Sequence, residues 1–366
     1  MPKPLNIKRR QFNSTLESDW RRLDQYSNLF TSWSWCSEWW CQWHTNFDLQ
    51  LYTFEDDSGV THAIIPFFSK TESYIFNRKE LFFLGNLNPN NNTVFSEYPE
   101  IIYDPNYRKE VAAALYILIQ HIEWDIFHTP FFSKDGLLTS TLEKQCKLDR
   151  RQFSGCGALI PTDTEFTSYL AKLGKNTRLK LFNRRRYLNE HFDAKQEYAH
   201  HNDVVDYLNQ LNTLHAIRWG KPCFTNKKLA FHTNLCIDAA KQGNLRLSRL
   251  IVNGEVVSVL YNIVSNQVEY NLQAGYLEKF DKKLSLGTLH LGYAIERAFA
   301  DESIVYFDLL VGEGKNTPYK NSLRGENTVF KSCVYFNSWK GILFYAFRKA
   351  LLKFRPNKAN SAGQSS

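Results

Sequence analysis

LRLSRLIVNGEVVSVLYNIV, residues 245–264, decides the fold. Two runs rich in Val, Leu and Ile flank Asn253-Gly254, the dipeptide best suited to a two-residue hairpin because both residues tolerate positive φ. Residues 268–276 repeat the composition and predict a third strand. Beyond them, 288–300 has helical spacing, and 304–310 and 329–336 are short apolar runs of strand type. Three antiparallel strands, the last opening a strand–helix–strand unit, predict an α+β domain.

Working upstream, 229–242 and 204–219 read as helices, stopped by Gly243 and by Gly220 with Pro222. Residues 192–198 predict a strand, and 165–191 a long basic helical stretch broken near Gly174. Residues 150–161 are polar and contain glycine, and a domain boundary is expected there. The first half then repeats the plan: a strand at 5–12, helical spacing over 18–43, and strands at 49–54 and 61–68 around Asp56-Asp57-Ser58-Gly59. A short strand at 81–84, an asparagine-rich loop at 86–92, a helix at 107–122, a strand at 124–127 and a helix at 137–146 complete it. Each half thus has a helix, a hairpin and a strand–helix–strand. The expected division is 1–155, 156–338, and a basic amphipathic helix with a loose tail at 339–366.

With 366 residues, 43% of them hydrophobic, the chain has material for two cores. Seven scattered cysteines make no disulfide framework. Cys36, Cys41 and His44 sit among Trp33, Trp35, Trp39, Trp40 and Trp43, which reads as a packed aromatic helix; no metal is expected. No leader pattern and no apolar run of about 18–20 residues is visible, so a cytoplasmic chain is expected. The net charge is +8, yet residues 172–186 carry seven basic groups and no acid, and the chain after Glu326 carries seven more and no acid. The remainder is therefore net acidic, and the two basic segments are local features that suit an anionic partner. In 339–354, Ile342, Leu343, Ala346, Phe347, Leu351 and Phe354 share one side and Lys340, Arg348, Lys349 and Lys353 flank them, the composition of a helix lying on a membrane surface.

The order of elements from 243 to 336 resembles the GNAT acyltransferase core. The words resemble one branch of it, the acetyltransferase-like domains of bacterial cellulose and exopolysaccharide synthesis, related to the FemABX aminoacyl transferases. They are Leu214-His215-Ala216-Ile217-Arg218-Trp219-Gly220-Lys221-Pro222, Gly243-Asn244-Leu245-Arg246-Leu247, Gln273-Ala274-Gly275-Tyr276, Ser285-Leu286-Gly287-Thr288, Phe307-Asp308-Leu309-Leu310-Val311-Gly312 and Tyr319-Lys320. Pro66-Phe67-Phe68, Phe83-Leu84-Gly85-Asn86 and Tyr103-Asp104 are looser matches in the first half. The resemblance implies tandem GNAT-like domains, each a mixed, mostly antiparallel sheet flanked by helices. The chain departs from the pattern where residues 312–318 intervene before Tyr319-Lys320.

The resemblance implies an acyl-CoA co-substrate, with acetyl-CoA the simplest. Its pyrophosphate would lie at a helix N-terminus, where free N–H groups and the helix dipole face the anion. Ser285, Gly287 and Thr288 open such a helix, Lys282 and Lys283 precede it, and Gln273 with Tyr270 is expected to line the groove. Deprotonating the attacking group needs a base, for which Asp308, His215 and Glu313 are candidates, with Lys320 beside them. Arg218, Arg185, Arg186 and Tyr319 are expected to hold an anionic acceptor, since guanidinium forks pair with phosphate. The expected function is acyl-CoA-dependent N- or O-acyl transfer to a sugar, sugar nucleotide or lipid-linked saccharide in polysaccharide biosynthesis. The alternatives are a FemABX-like aminoacyl transferase using charged tRNA, against which the lack of a sustained heptad weighs, and a non-catalytic subunit of a polysaccharide synthase. No nucleic-acid partner is expected.

Overall fold

The computed structural model describes residues 3–73, 77–87, 92–133, 136–145, 147–312 and 317–354. The first half contains β1 (Asn6–Arg10), α1 (Ser14–Leu23), α2 (Trp33–Trp43), β2 (Asp48–Glu55), β3 (Thr61–Ser73), β4 (Asn77–Phe83), β5 (Ile102–Tyr103), α3 (Arg108–His121), β6 (Ile126–Ser133), α4 (Leu137–Gln145) and β7 (Lys147–Pro161). The second contains α5 (Phe166–Lys172), α6 (Lys175–Arg178), α7 (Arg184–His191), β8 (Ala194–Tyr198), α8 (Val204–Trp219), α9 (Lys227–Lys241), β9 (Leu245–Val252), β10 (Glu255–Ser265), β11 (Val268–Tyr276), α10 (Leu286–Ala300), β12 (Tyr306–Gly312), α11 (Thr317–Ser322), β13 (Glu326–Phe336) and α12 (Trp339–Phe354). This is the α+β architecture the sequence predicts.

One thirteen-stranded sheet runs through both halves in the order β1-β2-β3-β4-β6-β13-β7-β12-β11-β10-β9-β8, with β5 on β3. The halves mirror each other. In each, four strands are antiparallel and the fourth meets the fifth in parallel over three residues, Glu80–Phe82 against Ile126–His128 and Val268–Tyr270 against Tyr306–Asp308. The closing strands are exchanged. β7, from the first half, pairs with β12, and β13, from the second, pairs with β6; they also pair with each other. The glycine-containing stretch where the sequence suggests a boundary is thus a central strand.

Local chemistry explains most element ends. Asn253 and Gly254 adopt φ of 51° and 83° and close the β9–β10 hairpin as the dipeptide requires. Gly220 takes the left-handed position that ends α8. The helical spacing over 18–43 does not make one helix. Asn28 and Ser32 accept backbone N–H groups at their own side chains, stopping one helical segment and starting the next. In the basic segment a π turn spans Leu179–Asn183, and its Leu181 carbonyl approaches Gly292 of α10 so closely that a side chain there would collide.

One core spans the two halves: Trp20, Trp35 and Trp39 pack with Leu211, Phe231, Tyr261 and Tyr270. The ring of Trp35 meets that of Phe231 edge-on at 5.0 Å. Cys36 is buried in this core, while Cys41 is exposed. Separate cores lie under α3 and α4 and under α10.

Candidate functional site

Beyond Tyr270 and Asp308, β11 and β12 run apart. β12 bulges there, and Leu310 takes φ of 62°, a left-handed conformation costly for a branched residue. Asp308 explains how it is held: its Oδ1 accepts the Leu310 N–H at 2.7 Å, a short-range turn of the type aspartates make. Asp308 is only 6% exposed. Burial pushes its carboxyl up to about 6, against the opposing pull of the Leu310 N–H, the Tyr98 hydroxyl and the Lys320 charge.

Lys320 reaches this point despite the residues inserted before it. Its Nζ donates to the carbonyls of Leu309, Leu310 at 2.9 Å and Val311 at 3.1 Å, gripping the bulge from α11. Desolvation lowers its pKa, with Glu97 and Asp308 opposing.

The other half supplies two residues that sequence reasoning missed. The Tyr98 hydroxyl donates to Asp308 Oδ1 at 3.3 Å, and Glu97 Oε2 accepts the Val311 N–H at 2.8 Å. Tyr98 has φ of 53° and stacks on Phe330 of β13 at 4.5 Å. Their loop is clamped through Ser96. Ser96 accepts Trp35 Nε1 at 2.7 Å, donates its N–H to the Gly85 carbonyl at 2.8 Å, and its carbonyl accepts Asn86 Nδ2 at 2.7 Å. Gly85, at φ of 82°, leaves room for the Ser96 hydroxyl. The signal in the sequence was Gly85-Asn86 followed by the polar aromatic word Ser96-Glu97-Tyr98-Pro99.

Where β11 ends, α10 begins. Its N-cap Ser285 accepts no first-turn N–H; its hydroxyl donates instead to Thr288 Oγ1 at 3.0 Å. Lys282 and Lys283 are exposed beside it. Gly287 has a packing reason: any side chain would overlap the ring of Tyr276. Gln273 lies on β11 past its last pairing with β12 and is partly buried. Tyr270 is buried in the inter-half core and faces Asp308 across the sheet register.

The remaining described candidates have other partners. His215 Nδ1 is 2.8 Å from the Lys221 carbonyl and braces the turn after α8. Arg218 pairs with Glu278 at 2.7 Å and sits between the rings of Trp219 and Tyr276, near the start of α10. Arg185 is tied to Glu296 and lies over Tyr293, whereas Arg186 is exposed and pairs with Glu190 one turn on. Glu313 and the side chain of Tyr319 fall outside the described residues. Among those described, no three His, Cys, Asp or Glu side chains are grouped to hold a metal ion, and no helix is long and apolar enough to cross a membrane.

Residues 175–321, from α6 through Lys320, match the family model described as acetyltransferase (GNAT) domain. No curated protein matches the sequence. Among solved structures, the fold is similar to FemX, 9% identical over 93% of this chain and 99% of that chain with a TM-score of 0.61. It is also similar to the C-terminal domain of a putative lysylphosphatidylglycerol synthetase from Agrobacterium fabrum, 11% identical over 93% and 98% with a TM-score of 0.55. A conserved protein from Bacteroides thetaiotaomicron is 11% identical over 91% and 100%, with a TM-score of 0.53. These likenesses speak to the fold, and the family model to the chemistry. The match of residues 175–321 to the acetyltransferase (GNAT) domain supports an acyltransferase.

Proposed function

We propose that the chain transfers an acyl group from an acyl-CoA to an amine or hydroxyl of a sugar, sugar nucleotide or lipid-linked saccharide destined for polysaccharide. The observation that carries the reading is Asp308. It is a buried carboxyl held near neutrality where β11 and β12 part, beside Lys320 and under a tyrosine from the other half. A base is most effective when its pKa lies near the working pH.

The residues fit an acyl-CoA. The first turn of α10 has no side-chain cap to occupy its N–H groups, and its dipole and the adjacent Lys282 and Lys283 suit a pyrophosphate. When bound, acyl-CoA supplies a thioester open to attack. Asp308 takes the proton of the attacking group, and the Leu310 N–H and Tyr98 hydroxyl orient its carboxylate. Lys320 holds the carbonyls of the bulge as the proton moves. Exposed Arg186 offers a guanidinium to a phosphorylated acceptor. The resemblance to exopolysaccharide enzymes supports the choice of acceptor.

Calorimetric titration of acetyl-CoA tests this reading on wild type and on Ser285→Glu. Gly287 is unsuited because a side chain there would disrupt Tyr276. A glutamate at the start of α10 suits the helix but repels a polyphosphate, so loss of binding is separated from loss of fold. Micromolar binding that Ser285→Glu abolishes supports the proposal. No binding by wild type, together with salt-dependent binding of charged tRNA, replaces it with aminoacyl transfer.

A further inference from the structure

Helix α12 has two unlike faces. The inner face is docked. Gly341 lies against the Asp125 carbonyl and Ile126, where a side chain would collide. The Tyr345 ring meets Phe336 at 5.3 Å, the Arg78 guanidinium lies 3.4 Å over the Phe344 ring, and Ser338 donates to Asp125. The outer face carries Trp339, Ile342, Leu343 and Phe347, which are 60%, 45%, 51% and 48% exposed. Their spacing of three, one and four residues aligns them in one stripe. A contiguous stripe of large exposed apolar side chains marks an interaction surface.

Residues 355–366, RPNKANSAGQSS, contain no large apolar side chain. The charge of the region selects the partner. After Glu326 the sequence carries seven Lys and Arg and no Asp or Glu. An apolar stripe in a segment whose sequence is basic and free of acids complements a surface that is anionic outside and apolar beneath, as an acidic lipid bilayer is. A sixteen-residue helix is too short to span one, but it can lie along it. Trp339, at one end of the stripe, has the amphipathic ring that favours the headgroup level.

We propose that α12 seats the protein on an anionic membrane surface through Trp339, Ile342, Leu343 and Phe347, while its inner face stays docked on the sheet. The inference does not depend on the acyl acceptor.

The full-length protein is sedimented with vesicles of phosphatidylcholine alone and of phosphatidylcholine mixed equally with phosphatidylglycerol. Binding is expected to the mixed vesicles and to weaken with salt. Replacing Ile342, Leu343 and Phe347 together with Ser is expected to lower it at least ~100-fold. Lys340→Gln is expected to lower it about fivefold at low salt. Circular dichroism and thermal melts confirm that the triple variant stays folded, since its three positions are exposed. Equal binding by the triple variant, or no binding by wild type, overturns the proposal. So does a wild-type dimer that the triple variant dissociates without any vesicle binding, since the stripe is then a self-interface.

Discussion

In the first half, β4 and β6 part after Phe82 and His128; in the second, β11 and β12 part after Tyr270 and Asp308. Both outgoing strands then bulge through a left-handed residue that is not glycine, Phe131 in one and Leu310 in the other. The backbones agree, but the carboxylates near the two forks do not. In the first half Glu80 bonds Arg78 at 2.7 Å and His128 at 3.1 Å, with Phe82 stacked on the His128 ring and Phe344 covering Arg78. Burial pushes the Glu80 carboxyl up, but His128 and Arg78 outweigh it and hold it below its usual range. In the second half Asp308 has one hydroxyl, one N–H and a lysine engaged with carbonyls, and burial wins. A fold does not assign a function. The proposed function puts the chemistry at the fork whose acid is left incompletely compensated.

The largest effect tests that assignment directly. Asp308→Asn keeps an acceptor for the Leu310 N–H but cannot take a proton, and kcat/KM is expected to fall about 10²–10⁴-fold with an unchanged melt. In wild type, kcat/KM should rise as pH climbs through about 6, because the base works only after Asp308 loses its proton. A variant as fast as wild type breaks the comparison.

Glu80→Gln at the other fork strands the Arg78 charge and is expected to cost about 3 kcal/mol in urea unfolding. Turnover per folded molecule should be unchanged; a tenfold loss would show that the first fork also takes part. Glu100 sharpens the contrast through stability alone. Burial pushes its carboxyl up to about 7 from 4.5, so the folded state holds the proton more tightly. The resulting cost is absent below pH 4.5, grows as pH rises, and is complete above pH 7. Glu100→Gln should therefore gain about 3 kcal/mol at pH 8 and little at pH 4.5 by urea titration. The smallest effect is at Tyr98. Tyr98→Phe removes a hydrogen bond that favours ionised Asp308, so the ascending limb moves to higher pH and the rate at pH 6 falls about threefold. An unmoved limb would leave Tyr98 a packing role only.

The legible parts were those with local causes. Asn253-Gly254, the ends of α8 and the span of α12 follow from turn chemistry and periodicity. Asp308 was one of three candidate bases named with Lys320, and the structure brings those two together. Glu97 and Tyr98 were missed because their loop has no periodicity and the Tyr98–Asp308 bond joins residues 210 apart. β7 was missed for a similar reason: its glycines read as a linker, and the partners that make it a strand, β12 and β13, come more than a hundred residues later. The role of His215 as a turn brace depends on a carbonyl that its helix pattern does not reveal.

The exchange of closing strands also sets a timetable for synthesis. β6 cannot gain its second neighbour until β13 has been made, near the end of the chain. At ordinary elongation rates the wait is on the order of ten seconds or more. Meanwhile the first half exposes the β6 edge in addition to β1, which stays an edge in the finished sheet, and the β6 edge is a template for unwanted pairing. In the nascent chain β6 therefore stays paired on one side only until β13 arrives.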